Sequence, residues 1–237
     1  MRTVLVAGAA GGIGEGVVRA LLASGDIEVF ATSRSAERLE ALRRLLAPEA
    51  AARFTPIVGA AGEFAGAARI AESVEALGGV DAVVAILGRG WWSSGPLLDI
   101  APDEWTAVLD EMLTGHFAFA RALIPQLSRR AGSLYLALGG GAAFEPLRDA
   151  GLMSIAAAGQ VMLTRALARE IGPAPPRIRE LVIDGPVSTS ESRGFADPRW
   201  ITADDVGRVV AELVLRGATS WQPARDEGPL LVIGQRK

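Results

Sequence analysis

Residues 7–14 read Ala-Gly-Ala-Ala-Gly-Gly-Ile-Gly and follow directly on the apolar run Val4-Leu5-Val6. The run is a strand, the glycines break it into a tight turn, and a helical pattern starts at Ile13. This order presents the N–H groups of a helix N-terminus to a phosphate. Glycines at Gly8, Gly12 and Gly14 let the backbone, Ile13 included, come close to a pyrophosphate. They also let the helix lie tightly on the strand. The competing reading is an ordinary tight turn. The position of the turn between a first strand and a first helix favours nucleotide binding.

Working outward, strand and helix alternate almost to the end of the chain. Strands are predicted at 3–7, 27–32, 53–58, 80–86, 132–138, 178–183 and 229–233. They are short and rich in Val, Ile and Leu, as strands buried on both faces are. Helical patterns lie between them at 13–24, 35–46, 64–77, 103–128, 152–171 and 202–216. Thr202-x-x-Asp205 reads as a capping box. The alternation predicts an α/β fold, a single Rossmann-like doubly wound sheet of seven parallel strands flanked by helices. No linker or repeat interrupts it, so residues 1–237 are expected to form one domain.

Composition narrows the function classes. The chain has no cysteine and one histidine, which argues against thiol chemistry and histidine-built metal sites. The formal net charge is −3 with no basic block, so nucleic-acid binding is not expected. Half the residues are hydrophobic, yet no apolar run reaches membrane-spanning length. Met1-Arg2-Thr3 leads straight into a strand without the pattern of a signal peptide. A cytoplasmic protein without membrane contact is the expectation.

Further matches then appear in order along the chain. Gly95-Pro-Leu-Leu-Asp-Ile-Ala-Pro-Asp-Glu-Trp105, Leu113-Thr-Gly-His-Phe117, Gly132-Ser-Leu134, Leu163-Thr-Arg-Ala-Leu-Ala168 and Gly185-Pro-Val-Ser-Thr189 each resemble a segment of the short-chain dehydrogenase/reductase family. With the glycine turn, the resemblance runs from about residue 3 to 235. It implies an oxidoreductase that uses NAD(P) on a carbonyl or alcohol.

At the cofactor end, the residues after the second strand face the adenosine ribose in such folds. Here they are Thr32-Ser33-Arg34-Ser35, with no acid before Glu37. Ser33 and Arg34 suit a 2′-phosphate, and Ser35 adds a hydroxyl, so NADP(H) is favoured over NAD(H). The alternative is that Arg34 is a solvated helix start. Binding weaker than usual is expected. The family's adenine-contacting aspartate is missing from Ile57-Val58-Gly59-Ala60, and Ala85-Ile-Leu-Gly88 stands for Asn-Asn-Ala-Gly, with only Gly88 retained.

The resemblance also locates the family's catalytic positions. They fall on Met112 for asparagine, Gly139 for serine, Met153 for tyrosine and Ala157 for lysine. No shift of register restores the pair, because Tyr135 and Lys237 are the only tyrosine and lysine. Tyr135 lies within a strand and reads as a packed residue. His116 would titrate near neutrality, although a plain helix residue is the simpler reading. Ser154 lacks a base, and Glu145, Arg148 and Asp149 read as solvated loop charges or, alternatively, as substitutes. No residue is assigned as catalytic.

The replacements Met112, Leu138, Met153 and Ala157 predict an apolar pocket for a small-molecule ligand. Trp91-Trp92 is either an interface pair or a lid. The resemblance implies a homodimer or homotetramer through the fourth and fifth helices, aided by Ala156-Ala157-Ala158-Gly159. Two readings stay open: an NADP(H)-linked enzyme with an unorthodox site, or a non-catalytic relative, a pseudoenzyme that binds nucleotide or protein.

Overall fold

The computed structural model describes residues 1–88, 90, 93–192, 194–217, 220 and 225–234. Elements follow in the order β1 (Arg2–Ala7), α1 (Gly12–Ala23), β2 (Ile27–Ser33), α2 (Ala36–Arg44), α3 (Pro48–Ala51), β3 (Phe54–Val58), α4 (Phe64–Ala76) and β4 (Ala82–Ala85). Next come α5 (Pro102–Leu109), a π turn (Asp110–Thr114), α6 (Gly115–Leu127), β5 (Leu134–Gly140), α7 (Gly151–Ile171) and β6 (Arg177–Asp184). The chain continues through β7 (Val187–Ser188), β8 (Ile201–Thr202), α8 (Ala203–Arg216), β9 (Arg225–Glu227) and β10 (Leu230–Gly234).

Seven parallel strands run β3-β2-β1-β4-β5-β6-β10, as the alternation predicts. Three short strands are additional: β9 pairs antiparallel with β10 and makes the edge of the main sheet, and β7 and β8 form a separate two-stranded parallel sheet. The Arg225-Asp-Glu sequence of β9 has no apolar signature, so backbone pairing alone places it. The order reverses between β1 and β4, and the crevice beyond their C-terminal ends is the switch point where such sheets take ligands.

Both faces are covered. Val4, Val6, Leu134, Leu136, Leu181 and Ile233 pack under α1, α2 and α8. Leu5, Val83, Tyr135, Ala137 and Ile178 face α4, α6 and the end of α7. The capping box of α8 is present: the Thr202 hydroxyl accepts from the Asp205 N–H and the Asp205 carboxylate accepts from the Thr202 N–H.

Three expectations need correction. The helix predicted at 103–128 is broken by the π turn, which carries Met112. A π turn inserts one residue into the helical ladder and often lies at a site. Next, α7 does reach the length and apolarity to cross a membrane, with a mean hydropathy of 1.3, but it lies on the sheet and 44% of that window is buried. Last, the small residues of α7 face this chain's own interior. Ala156 and Ala157 are buried, and a Cβ on Gly159 would come 2.9 Å from Leu113 of the π turn. Only Ala158 of that run is exposed.

Candidate functional site

The glycine turn sits at the switch point. Gly8 has a φ of +73°, and a Cβ there would run into the Ile86 carbonyl, so the turns after β1 and β4 touch through a missing side chain. Gly14 is pressed in the same way against the Gly8 carbonyl. Helix α1 starts at Gly12 behind Gly11, which offers no side-chain cap, and its first-turn N–H groups are left for a ligand.

The loop after β6 lies over this helix start. A Cβ on Gly12 would meet the Thr189 Cβ at 2.7 Å, and the Ser190 hydroxyl donates to Glu15 at 3.1 Å. Glycine at 12 therefore lets Thr189 sit directly on the first turn of α1.

At the end of β2, Arg34 is exposed. The Ser33 hydroxyl accepts from the Ser35 N–H at 3.3 Å. Ser35 caps α2, accepting from the Arg38 N–H at 3.1 Å and donating to Glu37 at 2.7 Å. Its hydroxyl is thus engaged within the first turn of α2. That bond is the main reason the Glu37 carboxyl sits below its ordinary range. The residue that sequence reasoning missed is Arg38. Its guanidinium donates to the Ala10 carbonyl of the glycine turn and lies 3.9 Å from Glu191. A second arginine in the first turn of α2, so soon after Arg34 at the end of β2, was the available signal.

Gly88 has a φ of +103°, and a Cβ there would meet Met112 at 3.3 Å. Met112, at the family's asparagine position, thus lies beside the turn after β4. Met153 and Ala157, one turn apart on α7, are both buried, at 8% and 7% exposure. Leu138 does not join them. It packs in the core under α1 and α8, because alternation along β5 sends it to the opposite face. The apolar lining expected of it is withdrawn.

Gly139 has a specific neighbour. A Cβ there would collide with the Glu180 carboxylate of β6 and come 3.3 Å from Gln160. Gln160 donates to Glu180 at 3.0 Å and to the Leu138 carbonyl at 2.9 Å. Glu180 is fully buried. Burial pushes its carboxyl up to about 7, against the opposing hydrogen bonds of Thr164 and Gln160 and the charge of Arg165. A lone acid inside the apolar run 178–183 was visible in the sequence, but its partners were not.

His116 is corrected outright. It is buried, its Nε2 lies 3.2 Å from the Leu87 carbonyl, and burial pushes its pKa down to about 4. It does not titrate near neutrality. Tyr135 is packed within β5, as expected, and burial, reinforced by Glu180, raises its phenol above the ordinary range. Ser154 donates to the Ala150 carbonyl within its own helix. Glu145, Arg148 and Asp149 are exposed. The Asp149 carbonyl pins the N–H groups of Ser94 and Gly95 at 2.8 and 3.1 Å. Trp91-Trp92 and Lys237 lie outside the described residues.

A doubly wound parallel sheet with a glycine turn at its switch point defines a dinucleotide-binding class of protein. A family model described as enoyl-(acyl carrier protein) reductase matches residues 8–216, and the chain belongs to the short-chain dehydrogenase/reductase family. Solved structures agree on the fold. A short-chain dehydrogenase/reductase from Mycobacterium ulcerans superposes with a TM-score of 0.84 at 20% identity, covering 98% of this chain and 88% of that one. An NADPH-bound short-chain oxidoreductase from Pseudomonas aeruginosa, described as containing an atypical catalytic center, gives 0.82 at 21%, covering 98% and 95%. ElxO with NADP bound gives 0.84 at 17%, covering 99% and 98%.

Proposed function

We propose that this protein is a single NADP(H)-binding unit, an oxidoreductase by family, in which reduction of a carbonyl or oxidation of an alcohol is weak or absent. One observation carries the reading: the face of α7 that holds the family's tyrosine and lysine presents Met153 and Ala157, both buried. Gly139 and Met112 replace the serine and the asparagine.

The residues at the switch point fit the cofactor. Gly8, Gly12 and Gly14 let the turn before α1 close against Ile86, Thr189 and the Gly8 carbonyl, Ile13 stands in the first turn of α1, Ser33 and Arg34 lie at the end of β2, and Gly88 turns beside Met112. Arg38 joins Arg34 as a cation within reach of a 2′-phosphate. Bound NADPH supplies a hydride. Among the described residues, the candidate proton donors are engaged elsewhere: Tyr135 is packed in β5, the His116 Nε2 faces a backbone carbonyl and the Ser154 hydroxyl donates to the Ala150 carbonyl.

The second reading is an enzyme with an unorthodox site, favoured by the Pseudomonas aeruginosa oxidoreductase and its atypical centre. Two measurements separate the readings: NADPH titrated by tryptophan fluorescence, and NADPH oxidation with a panel of ketones and aldehydes. Saturable binding without turnover supports the proposal. Turnover with kcat in the ordinary range of about 1–10³ s⁻¹ overturns it. No binding of either cofactor overturns both.

A further inference from the structure

Between the sheet and helices α6 and α7 lies an internal chamber of about 10 Å³, lined by His116, Tyr135, Ala137, Gln160 and Thr164 among others. That is the space of one water molecule. Two of its polar atoms have no hydrogen-bond partner in the protein: Nδ1 of His116 and Oη of Tyr135. Both residues are more than nine-tenths buried. Buried polar atoms are almost always paired, so two orphans around one water-sized space call for a common partner.

The hydrogen positions follow from the neighbours. The His116 Nε2 faces the Leu87 carbonyl at 3.2 Å, so Nε2 carries the hydrogen and donates. In a neutral imidazole, Nδ1 is then a bare lone pair that needs a donor. The Tyr135 hydroxyl has a hydrogen to give but no acceptor. A water between them accepts from Tyr135 and donates to Nδ1. Its second hydrogen has the Thr164 hydroxyl, which lines the same space.

We propose that the chamber is a built hydration site. One buried water joins Tyr135 to His116 and completes a strut from the centre of β5 to the Leu87-Gly88 turn. His116 is thereby a positioning residue. It holds the turn that touches the glycine loop through Ile86 and packs on Met112 through Gly88. The inference does not rest on the nucleotide reading, since none of its tests involves a nucleotide.

The test combines crystallography at a resolution that shows ordered water with ¹⁵N spectroscopy of the single histidine. In the wild type, one water is expected within hydrogen-bond distance of both atoms, with Nδ1 unprotonated. Tyr135→Phe removes only the hydroxyl. It should empty the chamber, shift the Nδ1 resonance although no direct bond joins the two side chains, and speed exchange of the Ile86 amide, which donates to the Ala7 carbonyl at the start of this turn, about fivefold, the equivalent of one net hydrogen bond. A dry chamber in the wild type, a protonated Nδ1, or an Nδ1 signal indifferent to Tyr135→Phe overturns the proposal. Should Tyr135→Phe fail to fold, the wild-type water and the tautomer decide alone.

Discussion

His116 and Glu180 titrate in opposite senses, and their effects on stability oppose each other. The Glu180 carboxyl rises from 4.5 to about 7 on folding, so between these values the folded state binds more protons. Its contribution to stability therefore falls as pH rises through that window, by about 3 kcal/mol at most. His116 drops from 6.5 to about 4, so the unfolded state binds more protons there. Its contribution rises with pH across its window by a similar amount, about 3 kcal/mol. The two slopes largely cancel between pH 4.5 and 6.5 in the wild type. Replacing either residue uncovers the other. Stability of Glu180→Gln relative to wild type should grow from pH 4.5 to 7, and that of His116→Gln should grow as pH falls from 6.5 to 4. Urea denaturation across this range measures both, and parallel pH profiles for the three proteins would refute the assignment. At the other end of the sheet, Arg34→Asp should weaken NADPH binding more than NADH binding, because a carboxylate repels the 2′-phosphate. Arg38→Ala should act in the same direction. Equal losses for both cofactors in a fluorescence titration would remove these arginines from that role.

At the scale of elements, the parallel strands and most helices were legible because each is an uninterrupted apolar or amphipathic run. What escaped was set by neighbours distant in the chain. Strand β9 exists only by pairing with β10. The π turn sits where the helix packs Leu113 against Gly159, a contact that no local pattern announces. The candidate site was legible as a set of vacancies, Met112, Gly139, Met153 and Ala157, but what occupies one of them was not. Gly139 on β5 leaves room for the Glu180 carboxylate of β6, which the sheet register sets opposite Ala137, two residues before Gly139. The consequence is testable. Restoring Met153→Tyr and Ala157→Lys places the two side chains on one face of α7. Adding Gly139→Ser drives a Cβ into the Glu180 carboxylate. The triple variant should be less stable than the double by about 1–3 kcal/mol, the usual cost of overpacking. Thermal and urea denaturation compare them. A triple variant as stable as the double would show that Glu180 moves aside at no cost.

For the whole molecule, α7 poses a packing problem. One side of the helix is buried on the sheet, yet Ile155 and Met162 stand 39% and 60% exposed on the other. A helix apolar on all sides is either enclosed or lies in a membrane. The sheet, together with the Gln160 bonds to Glu180 and the Leu138 carbonyl, fixes the first side within a protein core. The second side then needs a protein cover. On α6, Phe117 is 43% exposed and meets Phe64 of α4 edge to face at 6.0 Å, a second exposed apolar spot. A second copy of the chain, related by a two-fold axis, would cover the α7 side, because an isologous contact sets the same patch against itself. In such a contact Ile155 and Met162 would form the cover, since Ala156, Ala157 and Gly159 are spent inside the chain. Light scattering at micromolar concentration should therefore report a homodimer or a tetramer built from it. Met162→Glu places a charge at the centre of the patch and should yield monomers, while Ala158→Ser, a small exposed change beside it, should leave the assembly intact. A monomeric wild type would contradict the two-fold contact and leave Ile155 and Met162 as solvated apolar side chains.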